Sequence, residues 1–157
     1  MSKEKYILVI ADGSKEMEIA LQYACARSKK TNRKIIIAAF IEPLDVLTTQ
    51  GVTEIMQNEA REEAEKNIQN AASIVKESTG IVPILQIREG EIMKELKALI
   101  DEEKDINVLV IAANVDEKDN NPGPIITSLV SKELSNFRVP VMIVPGNFSK
   151  KHIALLT

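Results

Sequence analysis

The side chains able to do chemistry in this chain gather in a few short stretches. Asp12-Gly13-Ser14 puts a carboxylate two residues before a hydroxyl, an arrangement that serves either to cap a turn or to accept hydrogen bonds from a ligand. Further on, Pro122-Gly123-Pro124 leads into Thr127-Ser128. A proline there starts a helix, whose N-terminal backbone donors and dipole favour an anion, while the hydroxyls serve equally well in local bonds. Between the two, Asp116, Glu117 and Asp119 stand close together, but the run lacks the glycine and distal Glu of a calcium loop and reads as solvated.

Other catalytic constellations find little material. His152 is the only histidine and lies in the last residues, so a Ser-His-Asp or Cys-His arrangement would have to be built from a terminal tail. Cys25 falls on the apolar face of the first helix, where it reads as a small buried hydrophobe rather than a reactive thiolate. The chain has neither a Gly-Lys-Ser/Thr phosphate loop nor Gly-x-Gly-x-x-Gly, which argues against an ordinary P-loop enzyme or dinucleotide oxidoreductase. No acid/base pair can be named, and the chain reads as a non-enzyme, with slow nucleotide hydrolysis left open.

The elements that must position these residues alternate regularly. Tyr6 to Ala11 is an unbroken apolar run of the kind found in strands buried on both faces of a parallel sheet. Ser14 is a candidate N-cap for a helix whose Met17, Ala20, Leu21, Ala24 and Cys25 share one face, with basic residues gathering toward Lys30. Ile35 to Ile41 is a second strand closed by Glu42-Pro43, and Leu44 to Val52 reads as a loop. From Thr53 to Ser78 the apolar positions Met56, Ala60, Ala64, Ile68, Ala71 and Val75 predict a long amphipathic helix ending near Gly80. Its mixed charges, Glu59, Arg61, Glu62, Glu63 and Lys66 among them, read as a solvated face.

Val82 to Ile87 predicts a third strand, at a sheet edge because of Pro83. Ile92, Leu96, Leu99 and Ile100 mark a third helix to about Lys104, and Val108 to Ala112 a fourth strand. After the polar segment Ala113 to Gly123, a fourth helix runs from Pro124 through Leu129, Val130 and Leu134. Val139 to Val144 predicts the fifth strand, and Asn147 to Thr157 reads as a tail whose Ile153, Leu155 and Leu156 pack locally or on a partner.

Strands alternating with helices in this way specify an α/β fold, an open five-stranded parallel sheet with helices on both faces. Residues 1–146 read as one domain and 147–157 as a C-terminal tail. Ligands of such Rossmann-like sheets sit at the carboxyl ends of the strands where the winding reverses, so the loops after the first and fourth strands are the places to look.

Composition narrows the partners. The 157 residues carry 20 Lys plus Arg against 23 Asp plus Glu, with only 3% aromatic residues and no Trp. A sequence pI near 5.3 and scarce stacking surfaces argue against nucleic acid. No apolar run approaches the roughly 20 residues of a membrane span. With a lone cysteine and no recognisable targeting segment, a cytoplasmic protein is expected.

Several strand ends together resemble those of the universal stress protein family. Tyr6-Ile7-Leu8-Val9-Ile10-Ala11 with Asp12-Gly13-Ser14 resembles the family's first strand and turn. Phe40-Ile41-Glu42-Pro43 resembles its second-strand ending, Arg88-Glu89-Gly90 its third, and Val139-Pro140-Val141-Met142-Ile143-Val144 its last strand. The resemblance covers about residues 5 to 146 and implies an adenine nucleotide alpha hydrolase-like sheet. It also implies a nucleotide site for ATP or AMP. In that site Asp12 would meet the adenosine moiety, Ile10, Ala11 and Phe40 would flank the nucleotide, and Phe40 is bulkier than the family's usual valine.

One motif departs from the family. Nucleotide-binding members carry Gly-x2-Gly-x9-Gly-Ser/Thr after strand four. In this chain Ala112 and Val115 fall at the first two glycine positions and Thr127-Ser128 at the final pair, in a loop longer than the pattern allows. Side chains at those positions stand where backbone N–H groups would approach phosphate oxygens. The expectation is a stress-response or regulatory protein without tight ATP binding, the alternative being an AMP- or ATP-binding switch with a reshaped phosphate cradle. Family members commonly dimerise through the last strand, so the resemblance implies a homodimer through Val139 to Val144, with Pro140 and Pro145 limiting the pairing.

Overall fold

The computed structural model describes residues 4–43 and 50–157; the expected loop residues 44–49 lie outside them. Five parallel strands run β1 (Tyr6–Ile10), β2 (Lys34–Ile41), β3 (Ile84–Glu89), β4 (Ile106–Ala113) and β5 (Val141–Pro145) along the chain. In space their order is β3-β2-β1-β4-β5. β1 is therefore central, with Leu8 opposite Ile36 on one side and Leu109 on the other. The winding reverses between β1 and β4, which opens the crevice predicted for this class of sheet.

Alternation along the central strands divides the core. Ile7 and Val9 face helices α1 (Lys15–Thr31) and α2 (Gln50–Thr79), packing with Leu21, Ala24, Cys25, Ile68 and Val75. Leu8 and Ile10 face α3 (Ile92–Glu102) and α4 (Pro124–Ser128), packing with Leu96, Leu99, Ile100, Ile126 and Leu129. The continuous β-branched runs of β1, β2 and β4 follow from this burial on both faces.

Helix ends obey local rules. Ser14 caps α1, its Oγ accepting from Met17 N–H at 3.2 Å, and Asn32 closes it at φ 58°, a conformation that Asn tolerates better than most side chains. Lys29 and Lys30 lie in the last turn, as the dipole favours. One tie has no signature in the sequence pattern. Arg138, just before β5, donates from Nη2 to the carbonyls of Ile100, Glu103 and Ile106 at 2.6, 3.1 and 3.2 Å, and so satisfies carbonyls at and beyond the end of α3.

Several boundaries differ from expectation. α2 begins at Gln50 rather than Thr53, so residues 50–52 are helix and not loop, and Met56 is exposed instead of facing the core. β3 starts after Pro83, whose missing donor excludes it from the ladder. The fourth helix is not uniform. Five α-helical residues pass into a π-helical turn at Leu129–Glu133 and a 3₁₀ turn at Leu134–Asn136. β5 begins at Val141 instead of Val139 and includes Pro145. Pro140 contributes only its carbonyl, which accepts from Leu109 N–H at 3.0 Å.

The expected tail contains a helix, α5 (Lys150–Leu156), capped by Ser149, whose Oγ accepts from His152 N–H at 3.0 Å. Ile153 is buried while Leu155 and Leu156 are exposed. No described helix is long and apolar enough to cross a membrane.

Candidate functional site

At the carboxyl end of β1 the chain turns through Asp12-Gly13-Ser14. Asp12 Oδ1 accepts from both Ser14 N–H (3.0 Å) and Ser14 Oγ–H (2.7 Å), so one carboxylate oxygen is committed to the turn. Gly13 sits at φ +77°, and a Cβ there would lie 2.7 Å from Asn67 Nδ2 on α2. Glycine at this position both permits the left-handed turn and lets α2 close over the strand end.

Two cavities meet here, sharing Ile10, Asp12 and Ile125 as a common wall. The first, of about 280 Å³, lies over the ends of β1 and β2. Ala11, Phe40, Ala60, Ala64 and Ile92 give it apolar sides, and Asp12, Glu63 and Asn67 supply polar groups. The second is smaller, about 110 Å³, and occupies the switch point between β1 and β4, bounded by Ser14, Glu16, Ile111, Ala112 and the Pro122-Gly123-Pro124 turn. Neither is lined by a Lys or Arg among the described residues; their charged groups are Asp12, Glu16 and Glu63.

The loop between β4 and α4 is closed on itself. Asp116 N–H donates to Asn114 Oδ1 (3.2 Å), Lys118 N–H to Asp116 Oδ1 (3.0 Å), Asn121 N–H to Asp119 Oδ1 (3.1 Å) and Gly123 N–H to Asn121 Oδ1 (3.0 Å). Asn114 N–H donates to the Pro122 carbonyl at 3.1 Å, and its Nδ2 donates to Asp119 Oδ2 at 3.2 Å and to the Asn121 carbonyl at 3.1 Å. Asn114, Asp116, Asp119 and Asn121 each take the backbone donor two residues on, the Asx pattern the loop's composition favours.

The sequence candidates divide accordingly. Ile10, Ala11, Asp12 and Phe40 come together in the larger cavity, and Ala112 joins Ile10 and Asp12 in the smaller. Val115 lies apart, 43% exposed. Thr127 is exposed, its hydroxyl donating to the Gly123 carbonyl at 3.0 Å, and neither it nor Ser128 lines either of these two cavities. Glu16, Glu63, Asn67 and Ile125 line the site without having been singled out from the sequence. Which flank of an amphipathic helix overhangs a strand end depends on docking, which periodicity does not encode.

Cys25 and His152 stand outside both cavities. Burial pushes the Cys25 thiol pKa up, while the His152 ring meets Phe148 edge-on at 4.6 Å between centroids. A larger groove, about 720 Å³, runs between α1, α2 and α5 with Lys29, Lys30, Lys150, Glu18 and Glu77 along it. It is remote from the strand ends, where this fold places its chemistry. Among the described residues no group of three His, Cys, Asp or Glu is placed to hold a metal ion.

Comparison with known proteins settles the family. The model of the universal stress protein family matches residues 4–145.

The chain belongs to the universal stress protein family.

Among solved structures, this universal stress protein is similar to UspA from Lactobacillus plantarum, with a TM-score of 0.75, 13% identity and coverage of 92% of this chain and 99% of that one. A universal stress family protein from Burkholderia pseudomallei matches with a TM-score of 0.70, 18% identity and coverage of 92% and 98%. The universal stress protein from Archaeoglobus fulgidus in complex with dAMP matches at 0.60, 16% identity and coverage of 92% and 99%. At such identities the likeness is one of fold. No curated protein matches the chain in sequence.

Proposed function

We propose that this universal stress protein is a cytoplasmic, homodimeric regulatory protein of the stress response that works through contacts with protein partners and holds no ATP tightly. The observation that carries the reading is the closed loop after β4. The N–H groups of Asn114, Asp116, Lys118, Asp119, Asn121 and Gly123 are spent on its own Asn, Asp and Pro residues, and turning them toward a phosphate would first break those bonds. The departures from the glycine signature at Ala112, Val115 and Thr127 point the same way. So does the sign of the crevice, because a triphosphate there would face Asp12, Glu16 and Glu63 in two cavities that no described Lys or Arg lines.

The homodimer reading rests on β5. It is an edge strand whose Met142 and Ile143 are 37% and 42% exposed, and Val130 and Leu134 add exposed apolar surface in the preceding helical turns. An edge of this kind calls for cover. No dedicated reaction is proposed, since the carboxylate–hydroxyl contact of Asp12 with Ser14 belongs to the turn that caps α1. The buried free Cys25 suits the reducing cytoplasm.

A second reading is kept by one observation. The larger cavity, with Asp12 and Phe40, occupies the strand ends in a fold shared with the dAMP complex of the Archaeoglobus relative. It would make the protein an AMP- or ATP-binding switch with a reshaped cradle, whose dimer surface answers to nucleotide and which hydrolyses ATP slowly. An acid extract of the purified protein separates the two. Substoichiometric adenine nucleotide is the result expected of the first reading, and a stoichiometric amount would replace it with the second.

A further inference from the structure

The groove between α1, α2 and α5 shares no lining residue with either cavity of the crevice. We infer that this groove is a second binding site, which takes a small anionic molecule with an apolar body and a hydrogen-bond donor. The inference goes beyond the proposed function and does not depend on how the loop after β4 treats phosphate.

The groove has the form of a ligand site. α1 lies between the other two helices and packs against both. Its Glu18, Gln22, Ala26 and Lys30 recur every four residues and line the groove together, a single stripe about 18 Å long. Ile74 of α2 and Ile153 and Ala154 of α5 add apolar sides. The volume of about 720 Å³ falls within the range of roughly 300–1,000 Å³ usual for pockets that combine apolar walls with a few polar groups.

The charges of the groove define the ligand's sign. Lys29 and Lys30 enter from the last turn of α1 and Lys150 from the first turn of α5. Ion pairs among the described residues engage Lys5, Lys34, Arg61, Arg88 and Lys97, and none of these three. Glu18 and Glu77 also line the groove and are likewise outside those pairs, so the lysines there outnumber the carboxylates by three to two. That balance reverses the sign of a chain whose net charge is -3 and of a crevice lined by Asp12, Glu16 and Glu63. Lys29 and Lys30 also oppose the dipole of α1, a long-range effect that leaves their ammonium donors open to an anion.

Gln22 supplies the second requirement. Its Oε1 is buried and has no hydrogen-bond partner, a state that costs stability while the groove is empty. The terminal torsion of a glutamine amide is broad and two-fold, so an N–H or O–H presented along the α1 stripe draws that oxygen out and satisfies it. An inorganic anion would leave Gln22 and the apolar sides unused, and a hydrocarbon would leave the lysines unused.

The test is fluorescence titration of the full chain with two probes. The first, 8-anilinonaphthalene-1-sulfonate, combines an aromatic body, an N–H and an anion; the second, N-phenyl-1-naphthylamine, has the same body and N–H without the charge. The sulfonate is expected to bind at a single site, about tenfold or more tighter than the uncharged probe. The gap is expected to shrink to less than about threefold in the double variant Lys29→Gln/Lys30→Gln. Ala154→Trp, which adds bulk at an exposed groove position, is expected to weaken both probes about tenfold while the far-UV circular dichroism stays native. No fluorescence enhancement with the sulfonate would overturn the inference, and so would equal affinity for the two probes. Binding that Ala154→Trp leaves unchanged would put the probe elsewhere and overturn the groove as its site.

Discussion

At Gly146 the chain leaves β5 so close to its neighbours that a side chain has no room. A Cβ there would lie 2.5 Å from the Ala113 carbonyl oxygen and 2.8 Å from Glu16 Cβ. Gly146 N–H also donates to that carbonyl at 2.8 Å, so the glycine fixes the end of β4 against the start of α1, beside the crevice. Gly146→Ala is predicted to destabilise the fold by about 1–3 kcal/mol through backbone displacement, read as a lower urea midpoint with an unchanged slope. Some single residues were legible beforehand because their chemistry is local: Ser14 caps its helix, and Asp12 bonds two residues on. Glu63 and Asn67 were not. Their part in the crevice follows from the closeness of α2 to Gly13, and a charged residue on a helix flank carries no sign of which strand end it will overhang.

Among elements, the helices and strands buried by long apolar runs were read to within a few residues, since their periodicity reports their burial. The misreadings lie where tertiary packing overrides local pattern. α5 is short and follows a polar turn, so little in its sequence marks it as a docked helix, yet Ile153 is buried and its neighbours rest on α1. Ile153→Ala is predicted to cost about 2–4 kcal/mol if the site does not collapse, measured by equilibrium unfolding; a change below about 0.5 kcal/mol would show α5 to be a dispensable tail. A second tie joins β3 to α3. Arg88 bonds Glu102 and lies 3.9 Å from Glu95, and its hydrogen bond holds the Glu102 carboxyl below its ordinary value of 4.5. A lowered carboxylate pKa lends stability above the ordinary value that is lost as pH falls through the lowered one. Because Glu102 is exposed, Glu102→Gln is expected to remove only a small part of the acid sensitivity of unfolding, and less in high salt.

For the whole molecule, the alternation of strands and helices was enough to give a parallel sheet wound on both faces, and the spatial order β3-β2-β1-β4-β5 fits it. The sheet ends in two unlike edges. β3 is preceded by Pro83, exposes Ile84 and ends in charged Arg88 and Glu89, whereas β5 presents Met142 and Ile143 side by side with no charge in the strand. Light scattering is predicted to return the mass of a dimer at working concentrations, and Ile143→Lys, which places a charge on the β5 edge, to return a monomer that stays folded. A monomeric parent protein would remove β5 from the account as an interface. The closed loop after β4 was only partly foreseeable. Its Asn and Asp residues announced turns, but that Asn114, Asp116, Asp119 and Asn121 would each take the donor two residues on, the basis of the proposal that the loop cradles no phosphate, emerges only when the loop is seen assembled.

The most direct test of that central claim is calorimetric titration of the purified protein with ATP in magnesium buffer, with Asp12→Ala as control. The account predicts no heat of binding up to about 1 mM, equivalent to less than about 4 kcal/mol of affinity. A micromolar dissociation constant that disappears in Asp12→Ala would contradict it, because the loop would then have opened into a cradle built without its glycines.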